Sequence, residues 1–560
     1  MLVAIAIWIE VIAMSRLSRS LLAVATIIMV AILSFAIAPG AARAADTGAI
    51  TVDGTVATRY DAYQLFSATV VDDDDAGQKI ATDVTWANGV VRQAVLPVLH
   101  DAGLDSSAST AQEAAEWMNA DGHMTTALTA KLARAICNAD ATSVALNAGT
   151  SAELPCGYWL IVADDDAISQ NKASTAPIMA LVGGSAVTVK PKAATPKVSK
   201  HVLEDSTAAW QKAADATVAD DLYWRLSATV PAGLAAYDTY TVQFVDAMGV
   251  GLDPSKVAAS MHVYVAAGAD GGFDAVACEG GNASSTPAKG WTDITSHCRV
   301  SIEGNAFTVR TGDLIAALGG ADAFAAGVRV VAVYDAPLGA NCNRGATKGN
   351  PNEVYLRYPR SPLADQSGDT GFTRTPSDDA CAYTWELSLI KRSSVGDKPL
   401  AGAKLRIVDD RGRILTADGM WSTNADACVT TGEDGHVELS GIDAGVYTVE
   451  EVEAPKGYTA FEGKRTATVT AEGLDVKQVA AVKPKVTVSA ESPLRVDTAD
   501  AGTGSIELSV LNTPSKEASR GFMPSTGDRT LVLVMGLAAI GVAAIVVALV
   551  IKRGGGRREK

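Results

Sequence analysis

The chain has 560 residues, 48% hydrophobic and 20% charged, with a formal net charge of −16. That length exceeds what a single hydrophobic core supports and predicts about three domains. The acidic surface repels phosphate backbones and so argues against a nucleic-acid partner. The six histidines, scattered from His100 to His436, lack metal-ligand spacing, and there is no Gly-x-Ser-x-Gly or His-Glu-x-x-His, so neither cofactor, metal nor enzymatic centre is expected.

Residues 1–44 read as a secretory signal. An apolar run, Leu21 to Ala38, follows Arg16 and Arg19 and precedes Ala42-Arg43-Ala44, with the cut expected before Ala45. The basic segment Met14-Ser-Arg-Leu-Ser-Arg-Ser makes Met14 the candidate translation start. Export places all seven cysteines where disulfides persist. Pairing neighbours along the sequence gives Cys137 with Cys156, Cys278 with Cys298 and Cys381 with Cys428, leaving Cys342; sequence alone does not fix this connectivity.

A first domain is expected over 45–193. Ile50-Thr-Val52-Asp-Gly54 and Tyr60-Asp-Ala-Tyr63-Gln-Leu65-Phe66 alternate as strands, Ala111 to Met118 and Thr125 to Ile136 have helical spacing, and Leu154-Pro155-Cys156-Gly157-Tyr158-Trp159-Leu160-Ile161 returns to strand. With Trp86 after a Thr-Asp-Val-Thr strand and the Pro-x-Gly-Tyr strand near its end, the segment resembles the N-terminal domain of Gram-positive pilin shaft subunits. The acidic runs Asp72 to Asp75 and Asp164 to Asp166 read as solvated loops more readily than as calcium ligands. Val187-Thr-Val189-Lys190-Pro191-Lys192 closes the domain and is similar to the Tyr-Pro-Lys that carries the acceptor amine of pilin shaft subunits. That resemblance implies Lys192 as the pilin lysine, with Lys190 and Lys197 as neighbours able to substitute.

A second β-domain is expected over 194–362. In a strand successive side chains alternate faces. Val198-Ser-Lys200-His-Val202 puts Lys200 on an apolar face, Tyr240-Thr-Val242-Gln-Phe244-Val-Asp246 does so for Asp246, and Asn352-Glu-Val354-Tyr-Leu356 for Asn352. Asp238 and Asn350 compete for the last two places. After a linker, 363–380, the third domain, 381–513, repeats the pattern with Lys391, Glu451 and Asn512 in phase with the apolar positions of their strands. Its Pro399-Leu400-Ala401-Gly402-Ala403 and Glu451-Val-Glu-Ala454-Pro455-Lys-Gly457-Tyr458 resemble a collagen-adhesin B-type domain.

An ammonium buried without compensation loses its proton, and a buried carboxylate is driven toward the neutral acid. A neutral lysine amine is a nucleophile, and a protonated carboxyl beside an asparagine polarises the amide under attack, so a Lys–Asn isopeptide bond could form with loss of ammonia and without a cofactor. The resembled families form such bonds inside their domains. Carried over, these are Lys391–Asn512 with Glu451, and Lys200–Asn352 with Asp246. The plain alternative is lysines that snorkel to water or stay as unreacted ion pairs.

After a second linker, 514–521, the chain ends over 522–560 with Phe522-Met523-Pro524-Ser525-Thr526-Gly527, the apolar run Leu531 to Ile551 and a basic tail. The run of 21 residues spans about 30 Å as a helix, enough for a hydrocarbon core. The pentapeptide Met523 to Gly527 resembles the Leu-Pro-x-Thr-Gly substrate of sortases, with Met523 in place of leucine, and implies cleavage between Thr526 and Gly527.

The fold expected is mainly β: tandem immunoglobulin-like sandwiches of collagen-adhesin type, an N-terminal domain with added helices, and a C-terminal transmembrane helix. The resemblances imply a structural subunit of a covalent surface pilus, cell-wall anchored from a membrane precursor. Its partners would be sortase, neighbouring copies of itself and other pilins, peptidoglycan and a host surface ligand. A monomeric wall-anchored adhesin using the same domains as a stalk is the alternative.

Overall fold

The computed structural model describes residues 46–73, 77–270, 272–273, 278–279, 282–283, 289–345, 347–500 and 503–515. The expected signal, the sorting peptide Met523 to Gly527 and the apolar run behind it lie outside the described residues. Among the described residues no helix is long and apolar enough to cross a membrane.

The first domain is built on two sheets. Thr47–Val52 lies between Ser151–Pro155, antiparallel, and Val187–Val189, parallel. Beside it the order is Gln78–Trp86, Arg59–Asp73, Gly157–Ala163, Ile178–Val182. Gly157 is required where it stands: its φ is +139°, and a Cβ would sit 2.0 Å from the Phe66 carbonyl oxygen. Three helices follow Trp86. Ala111–Asn119 starts in a Thr110/Glu113 capping box and Thr126–Asn138 on a Thr125 cap, within two residues of the expected spans. The helix Gly89–Asp101 was not foreseen. Pro97 lies inside it and breaks the pattern read from sequence, yet Val91, Val95 and Leu99 form one buried stripe, and Asn88 accepts the Val91 N–H at 2.9 Å.

The second domain is a sandwich. One sheet runs Ala209–Gln211, Lys197–Glu204, Tyr223–Val230, Val328–Asp335, His262–Ala267, Thr292–Asp293; the facing one runs Ala213–Asp215, Asp378–Tyr383, Asn350–Pro359, Gln243–Met248, Ala306–Arg310, Arg299–Glu303. Residues 363–380 are therefore not a linker. Phe372–Arg374 pairs with Arg357–Pro359, and Asp378–Tyr383 pairs with Asn350–Val354. The adjacent acids Asp378 and Asp379 hide this strand in the sequence; Asp378 is compensated by the Lys212 ammonium and the Lys200 N–H, and the Asp379 carbonyl by Lys212 at 3.0 Å.

The third domain has Trp385–Ser393 between His436–Ile442 and Ser505–Pro514, the first and last strands of the domain running parallel. Against them stands the sheet Lys404–Val408, Gly445–Glu453, Lys464–Glu472, Lys485–Ala490. Trp385 Nε1 donates to Asp215 of the second domain at 2.7 Å, and Arg413 and Arg411 reach across to Asp220 and Asp205.

The expected disulfides are not formed. Cys137 is a free thiol against Tyr63 Oη at 3.7 Å, whereas the Cys156 carbonyl accepts from the Ala68 N–H and from Gln64 Nε2, and no bridge joins the two. Cys381 and Cys428 are also free, for they belong to different domains: Cys381 pairs with Ala213 and Pro351, while Cys428 adjoins a strand on Lys404–Leu405. Cys298 is a free thiol that donates to the Ile294 carbonyl, and the side chain of Cys278 lies outside the described residues.

Because 372–383 supplies two strands, a fragment spanning 194–362 should show neither cooperative unfolding nor slow amide exchange, whereas 194–384 should show both. Equal exchange protection in the two fragments would refute the strand assignment.

Candidate functional site

Each sandwich brings a buried lysine, a buried carboxyl group and a buried asparagine together among apolar side chains. In the second domain Lys200, Asp246 and Asn352 are all 0% exposed. Lys200 pairs across its sheet with Leu226, so strand parity sends it inward. On the facing sheet Met248 pairs with Asn352 and Asp246 with Val354, which places Asp246 and Asn352 as diagonal neighbours on one face. Lys200 Nζ forms an ion pair with Asp246 Oδ2 and donates to Tyr334 Oη at 2.9 Å. Tyr334 donates to Asp246 Oδ2 at 3.0 Å and accepts from Asn352 Nδ2 at 2.9 Å. Asp246 Oδ1 and Asn352 Oδ1 are buried without a hydrogen-bond partner.

The third-domain cluster uses the same groups in another arrangement. Lys391 and Asn512 lie on the adjacent parallel first and last strands, opposite Val510 and Ser393, two positions apart and on one face. Glu451 reaches them from the other sheet, where it pairs with Leu405. Its Oε1 lies 3.0 Å from Lys391 Nζ and accepts from Asn512 Nδ2 at 2.8 Å, and its Oε2 accepts the Phe461 N–H at 2.9 Å. The Phe461 ring centroid is 5.0 Å from the ammonium, and Asn512 Oδ1 is buried without a partner.

Burial sets the electrostatics. Desolvation lowers the Lys200 pKa to about 8 against the opposing pull of Asp246, and it lowers that of Lys391 against the pull of Glu451. The same desolvation raises Asp246 above the usual carboxylate range despite Lys200, and holds the Tyr334 phenol well above its ordinary value. A partly deprotonated amine beside an acid that tends to the neutral form is a nucleophile with a proton donor at hand.

The competing residues are used elsewhere. Asn350 is a backbone clamp, accepting the Asn343 N–H and donating to the Asn343 and Ala382 carbonyls. Asp238 is 59% exposed and pairs with Arg134 of the first domain. Tyr334 was missed by the sequence reading, since Val328–Asp335 is buried on both faces and offers no alternation to mark an inward hydroxyl.

Lys192 is exposed between Val187–Val189 and Ala193–Ala194, its carbonyl accepting from Thr175 N and Oγ1 at 3.2 and 3.1 Å. Lys190 and Lys197 are exposed too. Of the acidic runs, Asp72 is bound by Ser185 and Asp164 by Arg59.

With this geometry in view, residues 386–483 match a family model described as SpaA, a prealbumin-like fold domain. This segment is thus similar to a prealbumin-like domain. It contains Lys391 and Glu451 and ends before Asn512. Over 120 residues the chain is 28% identical to the trypsin-resistant surface T6 protein of Streptococcus pyogenes serotype M6, an alignment covering 20% of each; the chain thus matches about a fifth of that curated relative's length. Among solved structures it is similar to the T6 backbone pilin of serotype M6 Streptococcus pyogenes, with 15% identity, 84% of this chain and 99% of that one covered, and a TM-score of 0.45. It is also similar to the full-length major pilin SpaD from Corynebacterium diphtheriae, with 14% identity, 84% and 98% covered, and a TM-score of 0.40.

Replacing Asp246 with alanine leaves the Lys200 ammonium buried and uncompensated, and should cost the second domain about 3–5 kcal/mol. Asp238→Ala should stay within about 0.5 kcal/mol, as expected for an exposed ion pair. Denaturant unfolding of both variants checks the ranking, and a larger loss from Asp238→Ala would misplace the acid.

Proposed function

We propose that this chain is a structural subunit of a covalently polymerised surface pilus, with its domains locked by self-formed Lys200–Asn352 and Lys391–Asn512 bonds. The observation that carries this reading is the pair of water-excluded lysine–carboxyl–asparagine clusters. Unreacted, each would be a costly way to fill a core that leucine could fill. The neutral amine attacks the asparagine Cγ, the Nζ–Cγ bond forms, the Cγ–Nδ2 bond breaks and ammonia leaves, with proximity supplying much of the rate. Asp246 and Glu451 serve as the acids.

The two bonds would act differently under tension. Lys391–Asn512 ties adjacent first and last strands of one sheet, so force entering at Trp385 leaves at Pro514 with the rest of the third domain bypassed. Lys200–Asn352 staples one sheet of the second domain to the other.

Export, sortase cleavage between Thr526 and Gly527, transfer to Lys192 of a neighbouring copy and final attachment to peptidoglycan complete this reading, with adhesion to a host surface ligand as its purpose. The proline before Lys192 fixes the local backbone and donates no ladder hydrogen bond, leaving the lysine off the sheet and exposed.

Intact mass spectrometry of the reduced ectodomain should show a deficit of about 17 Da per bond, one ammonia each. Glu451→Ala should remove one such deficit and Asp246→Ala the other. A full-mass wild-type protein would refute the crosslinks.

Polymerisation is tested separately. Wall extracts boiled in detergent should give a ladder of covalent multimers, which Lys192→Arg should collapse to monomer because guanidinium stays protonated. A ladder unchanged by that substitution would exclude Lys192, and no ladder in wild type would favour the monomeric adhesin.

A further inference from the structure

We propose that Tyr334 is a catalytic residue of the second-domain centre, its hydroxyl relaying a proton from the attacking Lys200 nitrogen to the departing Asn352 nitrogen. This deepens the crosslinking reading above and rests on it. The comparison between the two centres supports the assignment. In the third domain a single carboxylate oxygen, Glu451 Oε1, lies 3.0 Å from Lys391 Nζ and 2.8 Å from Asn512 Nδ2, so it touches both nitrogens that exchange a proton. Aspartate is one methylene shorter. Asp246 pairs with Lys200 and has no hydrogen bond to Asn352; Tyr334 Oη lies 2.9 Å from both Nζ and Nδ2 and 3.0 Å from Asp246 Oδ2. The hydroxyl occupies the bridging place that the longer carboxylate fills in the third domain.

The chemistry requires something there. Asp246 first takes a proton from the Lys200 ammonium, and the neutral amine then adds to Asn352 Cγ, forming the Nζ–Cγ bond and placing the carbonyl electron pair on Oδ1. Nζ is now positively charged and holds two protons, while Nδ2 cannot leave as an amide anion. Direct transfer between two nitrogens on one carbon would pass through a strained four-membered ring. With the hydroxyl between them, Tyr334 Oη accepts the Nζ proton as its own proton passes to Nδ2, through a six-membered ring. The carbonyl re-forms, the Cγ–Nδ2 bond breaks and ammonia departs. Tyr334 is regenerated and never ionises, which suits a phenol buried from water and packed edge-on against Phe307, centroid to centroid 4.8 Å.

The test follows the Lys200–Asn352 crosslinked peptide in the full ectodomain, with the Lys391–Asn512 peptide of the same molecule as internal reference. Tyr334→Phe retains the ring and should be isolated with the third-domain bond closed and the second open. Closure in the purified protein should be slower than wild type by about 100-fold or more, the usual worth of a positioned acid–base group. Phe307→Leu loosens the same packing but keeps the hydroxyl, and should still close. Closure of Tyr334→Phe at the wild-type rate would overturn the relay while leaving the crosslink intact. Equal loss in Tyr334→Phe and Phe307→Leu would assign the effect to packing and overturn it too. Absence of the Lys200–Asn352 peptide from wild type would instead sink the crosslinking reading itself.

Discussion

A lysine ammonium held in a dry core is the constraint on which both sandwiches depend. Stripped of water, it must be matched by an anion, be neutralised or react, because the desolvation cost runs to several kcal/mol. Both domains supply the anion from a strand that faces or neighbours the lysine, and both place an asparagine amide against the resulting pair. The surroundings are largely apolar: the Trp224 ring centroid lies 5.6 Å from Lys200 Nζ, and Leu389, Leu405 and Leu508 belong to the third-domain core.

The two centres reach the same contacts from different topologies. In the third domain the lysine and asparagine share a sheet and a long carboxylate arrives from across the sandwich. In the second the lysine faces the asparagine across the core, the shorter acid sits beside the asparagine, and a tyrosine from a fourth strand completes the circuit. The requirement is on the atoms that meet, and strand order only decides which side chain is long enough to bring them there.

The joint between these domains is also built on buried acids. Asp215 accepts from the Trp385 indole and the Ala444 N–H, and its charge helps to hold Asp443 well above the usual carboxylate range after burial itself. Glu204 is pushed up to about 7, by burial first and Asp215 second. Carboxyls so raised favour the folded junction fully below their unfolded values, and that contribution fades as pH rises through about 7. Arg411 and Arg413, on Asp205 and Asp220, bring positive charge to the same face.

Much of this was legible in the sequence. Strand alternation alone marked Lys200, Asp246, Asn352, Lys391, Glu451 and Asn512 as inward, since a polar residue in phase with valines and leucines has few other places to point. Helical spacing over Ala111 to Met118 and Thr125 to Ile136 likewise located two helices to within two residues of their ends. What the sequence could not determine was pairing between distant segments. Whether Asn350 or Asn352, Asp238 or Asp246 faces the lysine depends on register set by strands a hundred residues away. The same is true of 372–383, which reads as a linker in the sequence and whose Asp378 is compensated only when Lys212 folds against it. Tyr334 is the clearest case. Its strand is apolar on both faces, so local pattern carries no direction, and only the closure of one sheet over the other brings its hydroxyl within reach of both nitrogens.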